Sequence, residues 1–321
     1  MTQRKIELDF STCWGTTNFT RVAGWIMWGL RDHFDPKSRF DIKLGNGVVD
    51  NIHRVARGEA DLGIITPTQN LNLAREGRGP FTTAYPDLVS LGTLQHDDRL
   101  TCGVASHVKI NSLHDIAAQR LPLRIAADLE DDGASVAFAS HEILKFYGIT
   151  QDRLRSWGGD LLHLDRGPGQ GVEKIIDGHA DILIHEAVML KPWFELIHDR
   201  GGRFMSFDKA LLDHLAKEYG YGSAKLPTTF GYTGGDVDCI DWADWLIICR
   251  RDLDPEIAYR VSQVMAEKRR VIENQYRWMP IKHSPMIYPI DVKAMFETPG
   301  VEYHEGALRY YADSKQTQKA A

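Results

Sequence analysis

The sequence has 321 residues, of which 43% are hydrophobic and 26% charged, and its formal net charge is −6. This length exceeds one typical core and predicts two compact units, and the composition is ordinary for a soluble globular protein. The acidic balance argues against nucleic acid or an anionic membrane as partner. No apolar run approaches the roughly 18 residues that a membrane-spanning helix needs.

The first predicted element is a short apolar strand at residues 6–10, with no hydrophobic signal-peptide core before it. The sequence as written therefore predicts a cytoplasmic protein, or a periplasmic one if a signal peptide has been removed. A polar turn at residues 15–18 comes next. It leads into a helix whose apolar residues recur at a spacing of four from Val22 to Phe34.

A second helix carries Val49, Ile52 and Val55 on one face, ends at Gly58 and turns into a buried strand at residues 62–65. The apolar run at residues 100–105 is a candidate hinge strand. Strands and helices thus alternate, which favours an α/β fold with parallel sheets covered on both faces.

The same layout returns in the second half of the chain. The strand–turn–helix pattern of residues 6–34 reappears at residues 123–148, and the helix–turn–strand pattern of residues 49–65 reappears at residues 172–184. The offsets are 118 and 120 residues, so the two matches support each other. We therefore predict two lobes built on one βαβ plan.

The chain is predicted to leave the second lobe through another candidate hinge strand at residues 245–249. Asp254 then caps a long helix that has Pro255 at its first position and continues to Tyr276. The C-terminal residues are predicted to pack back on the first lobe. The chain thus divides into two lobes with a ligand cleft between them: lobe 1, residues 1–100 and 250–321, and lobe 2, residues 101–249.

Polar residues stand where ligands bind in such folds, at the carboxyl ends of strands and the N-termini of the following helices. They are Thr16, Thr17 and Asn18 in the first turn of lobe 1, and Ser135 in the equivalent turn of lobe 2. Their side-chain and backbone groups can donate hydrogen bonds to a ligand carboxylate. The same residues can instead cap the two helices, and both alternatives remain open.

Two further strands end in polar residues. Thr66 and Thr68 follow the strand at residues 62–65, and His185 and Glu186 end the matching strand of lobe 2. The threonines are predicted to contact the ligand or to belong to a turn. The His–Glu pair can bind an amine, a hydroxyl or a metal, act as acid and base, or form a solvated pair at the rim.

Other chemistry-bearing residues are more ordinary. The cysteines at positions 13, 102, 239 and 249 form no CxxC pair, and buried free thiols are expected. No metal motif and no cofactor fingerprint is found, so neither a metal nor a cofactor is predicted. Trp14, Trp193 and Trp242 can wall the cleft or pack in a core.

Four motifs in this order resemble the TAXI-type solute receptors of TRAP transporters, over nearly the whole chain. They are the turn at residues 15–19, the sequences Gly-Val-Val-Asp-Asn and Gly-Glu-Ala-Asp-Leu at 47–51 and 58–62, Ile-Asn-Ser-Leu-His-Asp-Ile at 110–116, and His-Glu-Gly-Ala-Leu-Arg-Tyr-Tyr at 304–311. The resemblance implies a type II periplasmic-binding-protein fold, no catalysis and an amino acid or organic acid as ligand. It adds Trp14, Gly47 and Val48 to the ligand-binding candidates and implies TRAP membrane subunits as partners.

The leading prediction is therefore a solute-binding protein that closes on a small polar, carboxylate-bearing ligand. The alternative is a cytoplasmic enzyme on the same fold, a decarboxylase or hydrolase of a small aromatic or organic acid. That enzyme would use His185, Glu186 and Asp132 as its titratable groups. A third possibility is a ligand sensor that signals to a partner through closure.

Overall fold

The computed structural model describes residues 4–13, 17–128, 133–164, 167–187, 191–227, 236–274 and 289–320. The strands in these ranges are β1 (Glu7–Thr12), β2 (Arg39–Leu44), β3 (Leu62–Ile65), β4 (Leu88–Leu94), β5 (Arg99–Val104), β6 (Arg124–Ala127), β7 (Asp160–His163), β8 (Ile182–Glu186), β9 (Arg203–Met205), β10 (Ser223–Lys225), β11 (Asp238–Asp241) and β12 (Trp245–Arg250). The helices are α1 (Asn18–Leu30), α2 (Val48–Ala56), α3 (Gln69–Glu76), α4 (His114–Gln119), α5 (Ser135–Phe146), α6 (Gln151–Ser156), α7 (Gly167–Ile176), α8 (Lys191–Phe194), α9 (Lys209–Tyr219), α10 (Pro255–Glu267), α11 (Arg269–Glu273), α12 (Val292–Phe296) and α13 (Glu305–Ala320). A π-helical turn, Glu195–Asp199, follows α8.

The chain folds into two compact units, and the first is discontinuous in sequence. Unit 1 comprises the described residues up to His96 and those from Ala243 onward. Unit 2 is built on the segment Asp97–Trp242 between them. Each unit contains its own β-sheet with helices packed on it. The predicted α/β fold class with two compact units is confirmed.

Unit 1 is built on a five-stranded sheet in the order β2-β1-β3-β12-β4. β1 pairs in parallel with β2 and β3, whereas β12 runs antiparallel to both β3 and β4. Every residue of β3 and β4 is buried, because these strands are covered on both faces. This arrangement explains why neither sequence alternates between apolar and charged residues; the two polar residues of β4, Ser90 and Thr93, are also buried.

Unit 2 has a sheet in the order β10-β11-β5-β8-β6-β7, and β9 also pairs with β5. β6 is parallel to β7 and β8, but β5 is antiparallel to β8, β9 and β11. Both sheets are therefore mixed: the prediction of parallel sheets holds for β1 with β2 and β3 and for β6 with β7 and β8, but not for β5 and β12. β5 and β12 each follow a strand of the other unit, so the crossover rule that predicts parallel pairing within one sheet does not apply to them.

The position of β12 differs from the prediction. Residues 245–249 were assigned to the end of lobe 2 as a hinge strand, but β12 occupies the interior of the unit 1 sheet, between β3 and β4. Its apolar sequence comes from this central position, where Leu246, Ile247, Ile248 and Cys249 are fully buried. The other predicted limits of the lobes stay a prediction.

The helix predicted from Asp254 to Tyr276 is interrupted. Asp254 caps α10 as expected, and its carboxylate accepts a hydrogen bond from the Glu256 backbone N–H at 2.9 Å. The helix breaks at Lys268, whose ψ is 8°, and α11 follows. The Lys268 ammonium lies 5.1 Å from the ring centre of Trp28 on α1, so the break coincides with a contact between helices. Tyr276 lies outside the described residues.

Each unit uses the aspartate of its Gly-x-Ala-Asp turn in the same way. Asp61 accepts a hydrogen bond from the Asp9 backbone N–H at 2.8 Å and returns one from its own N–H to the Asp9 carbonyl at 3.0 Å. Asp181 does the same with Arg124, at 2.7 and 2.8 Å. The sequence repeat thus reflects one reciprocal lock, used twice, that fixes β1 beside β3 and β6 beside β8.

The interior of both units is closely packed. Trp193 and Trp242 are fully buried and belong to the core of unit 2, while Trp14 lies outside the described residues. The four cysteines are buried free thiols, and burial raises the pKa of Cys102 to about 12 and that of Cys239 to about 11. In the described part of the chain, no helix combines the length and the apolar character needed to cross a membrane.

Candidate functional site

In unit 1, the candidate residues stand at the carboxyl ends of β1 and β3. Thr17 is the N-cap of α1, and its hydroxyl accepts a hydrogen bond from the Thr20 backbone N–H at 3.4 Å. The Thr20 hydroxyl donates to the Cys13 carbonyl at 3.2 Å and ties the helix to the strand. The capping role considered for Thr17 is therefore present, and Trp14 and Thr16 lie outside the described residues.

Asn18 is the first residue of α1 and is half-buried. Its side-chain oxygen accepts a hydrogen bond from the Arg21 guanidinium. This oxygen is thus engaged within the first turn of the helix. Contact between Asn18 and a ligand stays a prediction.

Asn51, the last residue of the Gly-Val-Val-Asp-Asn motif, holds this edge of the sheet together. It is fully buried, accepts a hydrogen bond from the Ser11 hydroxyl at 2.8 Å and donates one to the Ile64 carbonyl at 2.9 Å. It therefore joins β1, β3 and α2. Gly47 is the N-cap of α2 and Val48 its first residue; both are buried beside this junction.

The two threonines after β3 have different surroundings. Thr66 is 3% exposed, and its hydroxyl donates to the Asp244 carbonyl at 3.0 Å. Thr68 is half-buried at the N-cap of α3 and makes no capping hydrogen bond through its side chain. Of the two hydroxyls, that of Thr66 is engaged within unit 1, whereas that of Thr68 is not used by the helix it precedes.

An aromatic stack at the same edge was not predicted. The rings of His96, after β4, and Trp245, at the start of β12, stack with centres 4.2 Å apart, and Phe19 meets Trp245 edge-on at 5.2 Å. All three side chains are buried. The stack depends on the pairing of β12 with β4, which brings together residues nearly 150 positions apart, and no local sequence pattern reports such a pairing.

Strand register shows which residues of the two units are equivalent. Phe10 of β1 pairs with Leu62 of β3, and Ile125 of β6 pairs with Ile182 of β8. Counting from these pairs, the residue just after the first strand is Cys13 in unit 1 and Asp128 in unit 2. The strand ends that follow the aspartate lock are Ile65 and Thr66 in unit 1, and His185 and Glu186 in unit 2.

The centre of the unit 2 site is a buried histidine–aspartate pair. His185 Nε2 lies 3.4 Å from Asp128 Oδ2, and His185 Nδ1 accepts a hydrogen bond from the Glu186 backbone N–H at 2.7 Å. His185 is 2% and Asp128 7% exposed. Burial lowers the pKa of His185, but the Asp128 carboxylate raises it more, so the net pKa is above its ordinary value.

Two more carboxyl groups surround this pair. Glu186 accepts a hydrogen bond from the Trp242 indole N–H at 3.1 Å, and Asp98 lies buried just before β5. Burial raises the pKa of Glu186, and burial together with repulsion from Glu186 holds the pKa of Asp98 well above its usual range. The neutral forms of Glu186 and Asp98 are therefore favoured at this edge of unit 2, and a positive charge placed nearby would stabilise their ionised forms.

Ser135 does not cap α5. Ala134 occupies the N-cap and Ser135 is the first helical residue, 2% exposed, so the capping alternative for Ser135 is wrong. Asp132 lies outside the described residues. Asp128 was missed because the ligand-binding groups of lobe 2 were expected in the turn at residues 132–135. The signal that identifies it is the end of the apolar strand at Ala127, which makes Asp128 the strand-end residue.

The described residues contain no group of three or more His, Cys, Asp or Glu side chains placed to hold a metal ion. Both ring nitrogens of His185 face protein groups, so the ring does not present a base to a substrate. What the unit 2 site does offer is a set of carboxyl oxygens, which accept hydrogen bonds and attract cations.

A model of the NMT1-like family matches residues 33–314. The match covers most of the sequence, and the chain belongs to the NMT1-like family. No curated protein matches the sequence.

Several solved structures are similar over nearly the full length. The alkanesulfonate-binding protein SsuA from Xanthomonas axonopodis pv. citri, bound to MOPS, is 14% identical, with 98% of this chain and 94% of that chain covered and a TM-score of 0.43. Lactococcal OpuAC in complex with glycine betaine is 13% identical, with 97% of each chain covered and a TM-score of 0.47. A putative periplasmic sulfonate-binding protein SsuA from Methylobacillus flagellatus KT is 11% identical, with 100% and 88% covered and a TM-score of 0.46.

Proposed function

We propose that this chain is a solute-binding protein of the TAXI type, which closes on a small polar, carboxylate-bearing ligand and delivers it to TRAP membrane subunits. The observation that carries the proposal is the repeated placement of polar groups at equivalent strand ends. Thr66 in unit 1 corresponds to Glu186 in unit 2, and Asp128 directly follows β6 where unit 1 has the buried thiol of Cys13. Two units built on one plan, each with a polar carboxyl edge, are what a closing receptor needs.

Membership of the NMT1-like family and the four motifs that resemble TAXI receptors support the same assignment. In unit 1 the N-termini of α1 and α2 supply backbone N–H groups and the positive ends of helix dipoles. Thr17 and Gly47 stand at these two helix starts. A ligand carboxylate is therefore assigned to unit 1.

The test is a thermal-shift screen against amino acids, dicarboxylates, and aromatic and keto acids. A ligand that binds only the folded protein raises the free energy of unfolding by about 2.7 kcal/mol at about 100 times its dissociation constant. Each hit is then incubated with the protein and analysed by mass spectrometry. Recovery of the intact ligand, with a more compact protein in small-angle X-ray scattering, is the expected result. A screen without a single hit would contradict the proposal.

The alternative is an enzyme on the same fold, and one observation favours it. Glu186 is only half-buried and has a raised pKa, as a general acid requires. Conversion of a hit to product that is lost in Glu186→Gln would replace the receptor proposal by this one. His185 is a weaker candidate than the sequence suggested, because its two ring nitrogens face Asp128 and the backbone.

Delivery to a transporter is tested separately. Ligand-loaded protein should stimulate uptake of that ligand into proteoliposomes that contain TRAP membrane subunits from the same genome. A Thr17→Asp variant, in which a carboxylate stands at the proposed carboxylate site, is expected to support less uptake. Equal uptake with and without the protein would remove the transport part of the proposal and leave ligand binding intact.

A further inference from the structure

The Asp128 carboxylate has one oxygen that is not accounted for within the described residues. Oδ2 faces His185 Nε2 at 3.4 Å, whereas Oδ1 is buried and accepts no hydrogen bond from any residue in the described ranges. The side chain as a whole is only 6% exposed. Buried carboxylate oxygens almost always have a hydrogen-bond donor, and an exception calls for an explanation.

No donor among the described residues reaches Asp128 Oδ1. The Trp242 indole N–H donates to Glu186, and His185 Nε2 lies 3.4 Å from the other Asp128 oxygen without a hydrogen bond. The Arg99 guanidinium, at the start of β5, bonds to the side chains of Asp97 and Asp241. A ligand can therefore supply the donor that Asp128 Oδ1 lacks.

The charge around Asp128 defines which donor fits. Glu186 and Asp98 add two further carboxyl groups, and burial disfavours their ionised forms. A neutral donor would satisfy the hydrogen bond alone, whereas a protonated amine also compensates the charge of the Asp128 carboxylate and favours ionisation of the other two groups. A ligand carboxylate placed here would be repelled.

We propose that Asp128 binds a protonated amine of the ligand through Oδ1, and that His185 is the positioning residue that holds the Asp128 carboxylate. This inference rests on the proposed function and narrows its ligand class to amino acids and related amino compounds. The Glu186 backbone N–H donates to His185 Nδ1, which places the imidazole proton on Nε2. Nε2 lies 3.4 Å from Asp128 Oδ2 in a close contact that is not a hydrogen bond, and Oδ1 stays available.

The test compares ligands with one carbon skeleton. L-glutamate is paired with 2-oxoglutarate, L-phenylalanine with phenylpyruvate, and glycine with glycine betaine, which keeps the positive charge but has no N–H. Dissociation constants are measured by calorimetry for wild type, Asp128→Asn and the control Asp152→Asn. Asp152 is an exposed residue of α6, so the control removes one negative charge of unit 2 elsewhere.

We expect the amino member of the bound pair to bind about tenfold or more tightly than its partner without an N–H donor. Asp128→Asn should reduce this ratio to about twofold or less, and Asp152→Asn should leave it unchanged. His185→Gln, whose amide can donate to Asp128, should keep most of the selectivity, whereas His185→Leu should lose it. A merely structural role of His185 would lower stability in both variants without changing the ratio.

The inference is overturned if an acid without an amine binds as tightly as its amino analogue, or if Asp128→Asn keeps the selectivity. Either result leaves the solute-binding proposal standing, since a ligand has then been bound. If no compound of any class binds to the wild type, it is the proposed function that fails. Should Asp128→Asn not fold, the ligand pairs measured on the wild type still decide the matter.

Discussion

Replacing Asp181 by alanine should destabilise the protein more than replacing Asp61, although the two residues hold equivalent positions. The Asp61 carboxylate is half-buried and accepts one backbone hydrogen bond, from Asp9. The Asp181 carboxylate is 4% exposed and accepts the equivalent bond from Arg124, two more from the Arg124 guanidinium at 3.0 and 2.7 Å, and one from His107 at 3.0 Å.

The magnitude follows from which groups can return to water. The Arg124 and His107 side chains are 39% and 62% exposed, so they regain hydration when Asp181 is removed, and their bonds contribute little. Each variant leaves one backbone N–H without its partner, that of Arg124 or that of Asp9. Because Asp181 is 4% exposed and Asp61 half-buried, water replaces the lost carboxylate less readily at Asp181. We expect a loss of about 2–3 kcal/mol for Asp181→Ala and about 1 kcal/mol for Asp61→Ala.

The assay is urea unfolding followed by far-UV circular dichroism, with Asp181→Asn as the matched variant. Asparagine keeps an acceptor for the backbone N–H but removes the charge, so its cost should be about 1 kcal/mol. Burial raises the pKa of Asp181, but its bonds with Arg124 lower it more, so the net pKa is depressed. The stabilisation is then present above the unfolded-state pKa and is lost as the pH falls through the folded-state pKa. An equal cost for Asp61→Ala and Asp181→Ala would refute this reasoning.

Three other predictions concern the site and the core. Thr17→Ala should lower stability by about 0.5–1 kcal/mol through loss of the cap, whereas Thr17→Asp should keep the stability but weaken binding of a carboxylate ligand about tenfold, as measured by calorimetry. Gly103→Ala should cost about 1–3 kcal/mol in urea unfolding, because the new Cβ would stand 2.6 Å from the buried Trp193 ring. Asp98→Asn should gain stability relative to wild type as the pH rises above the unfolded-state pKa of Asp98. Burial and repulsion from Glu186 raise the pKa of Asp98 in the folded protein, so the unfolded wild type releases this proton first and the wild type loses stability until the folded-state pKa is reached.

Each of these outcomes can fail in a recognisable way. Equal ligand affinity in Thr17→Asp and wild type would remove the carboxylate from the N-terminus of α1. An unchanged unfolding midpoint for Gly103→Ala would mean that the Trp193 ring can move aside. A constant difference between Asp98→Asn and wild type across the pH range would show that Asp98 does not titrate there in the folded protein.

Much of the fold is predictable because its signals are local. The strand–turn–helix units were found from apolar spacing and from Gly58 and Gly178, which end helices and lead into buried strands. The antiparallel insertion of β12 was missed because it depends on the pairing of Leu246 with Ile65, and such a pairing leaves no mark in either segment alone. An apolar run has the same sequence whether it crosses a hinge or fills the middle of a sheet.

The candidate site was predictable in position but not in chemistry. The rule that ligands bind at strand ends located His185 and Glu186 from sequence. It could not show that both nitrogens of His185 face protein groups, because the orientation of a side chain depends on Asp128, which is more than fifty residues away. Ser135 was assigned a cap that Ala134 occupies, a shift of one residue that propensity does not resolve.

The interior position of β12 has a consequence for synthesis on the ribosome. The chain emerges from its N-terminus, so β3 and β4 exist long before the strand that separates them. The intervening segment Asp97–Trp242 is synthesised before β12, Trp245–Arg250. Unit 2 can therefore finish folding while the sheet of unit 1 still lacks one of its strands. During that interval two strands that are buried in the finished protein have unpaired edges, which is the condition that recruits chaperones and favours aggregation. Nascent chains stalled before residue 245 should accordingly be the most chaperone-dependent form of this protein.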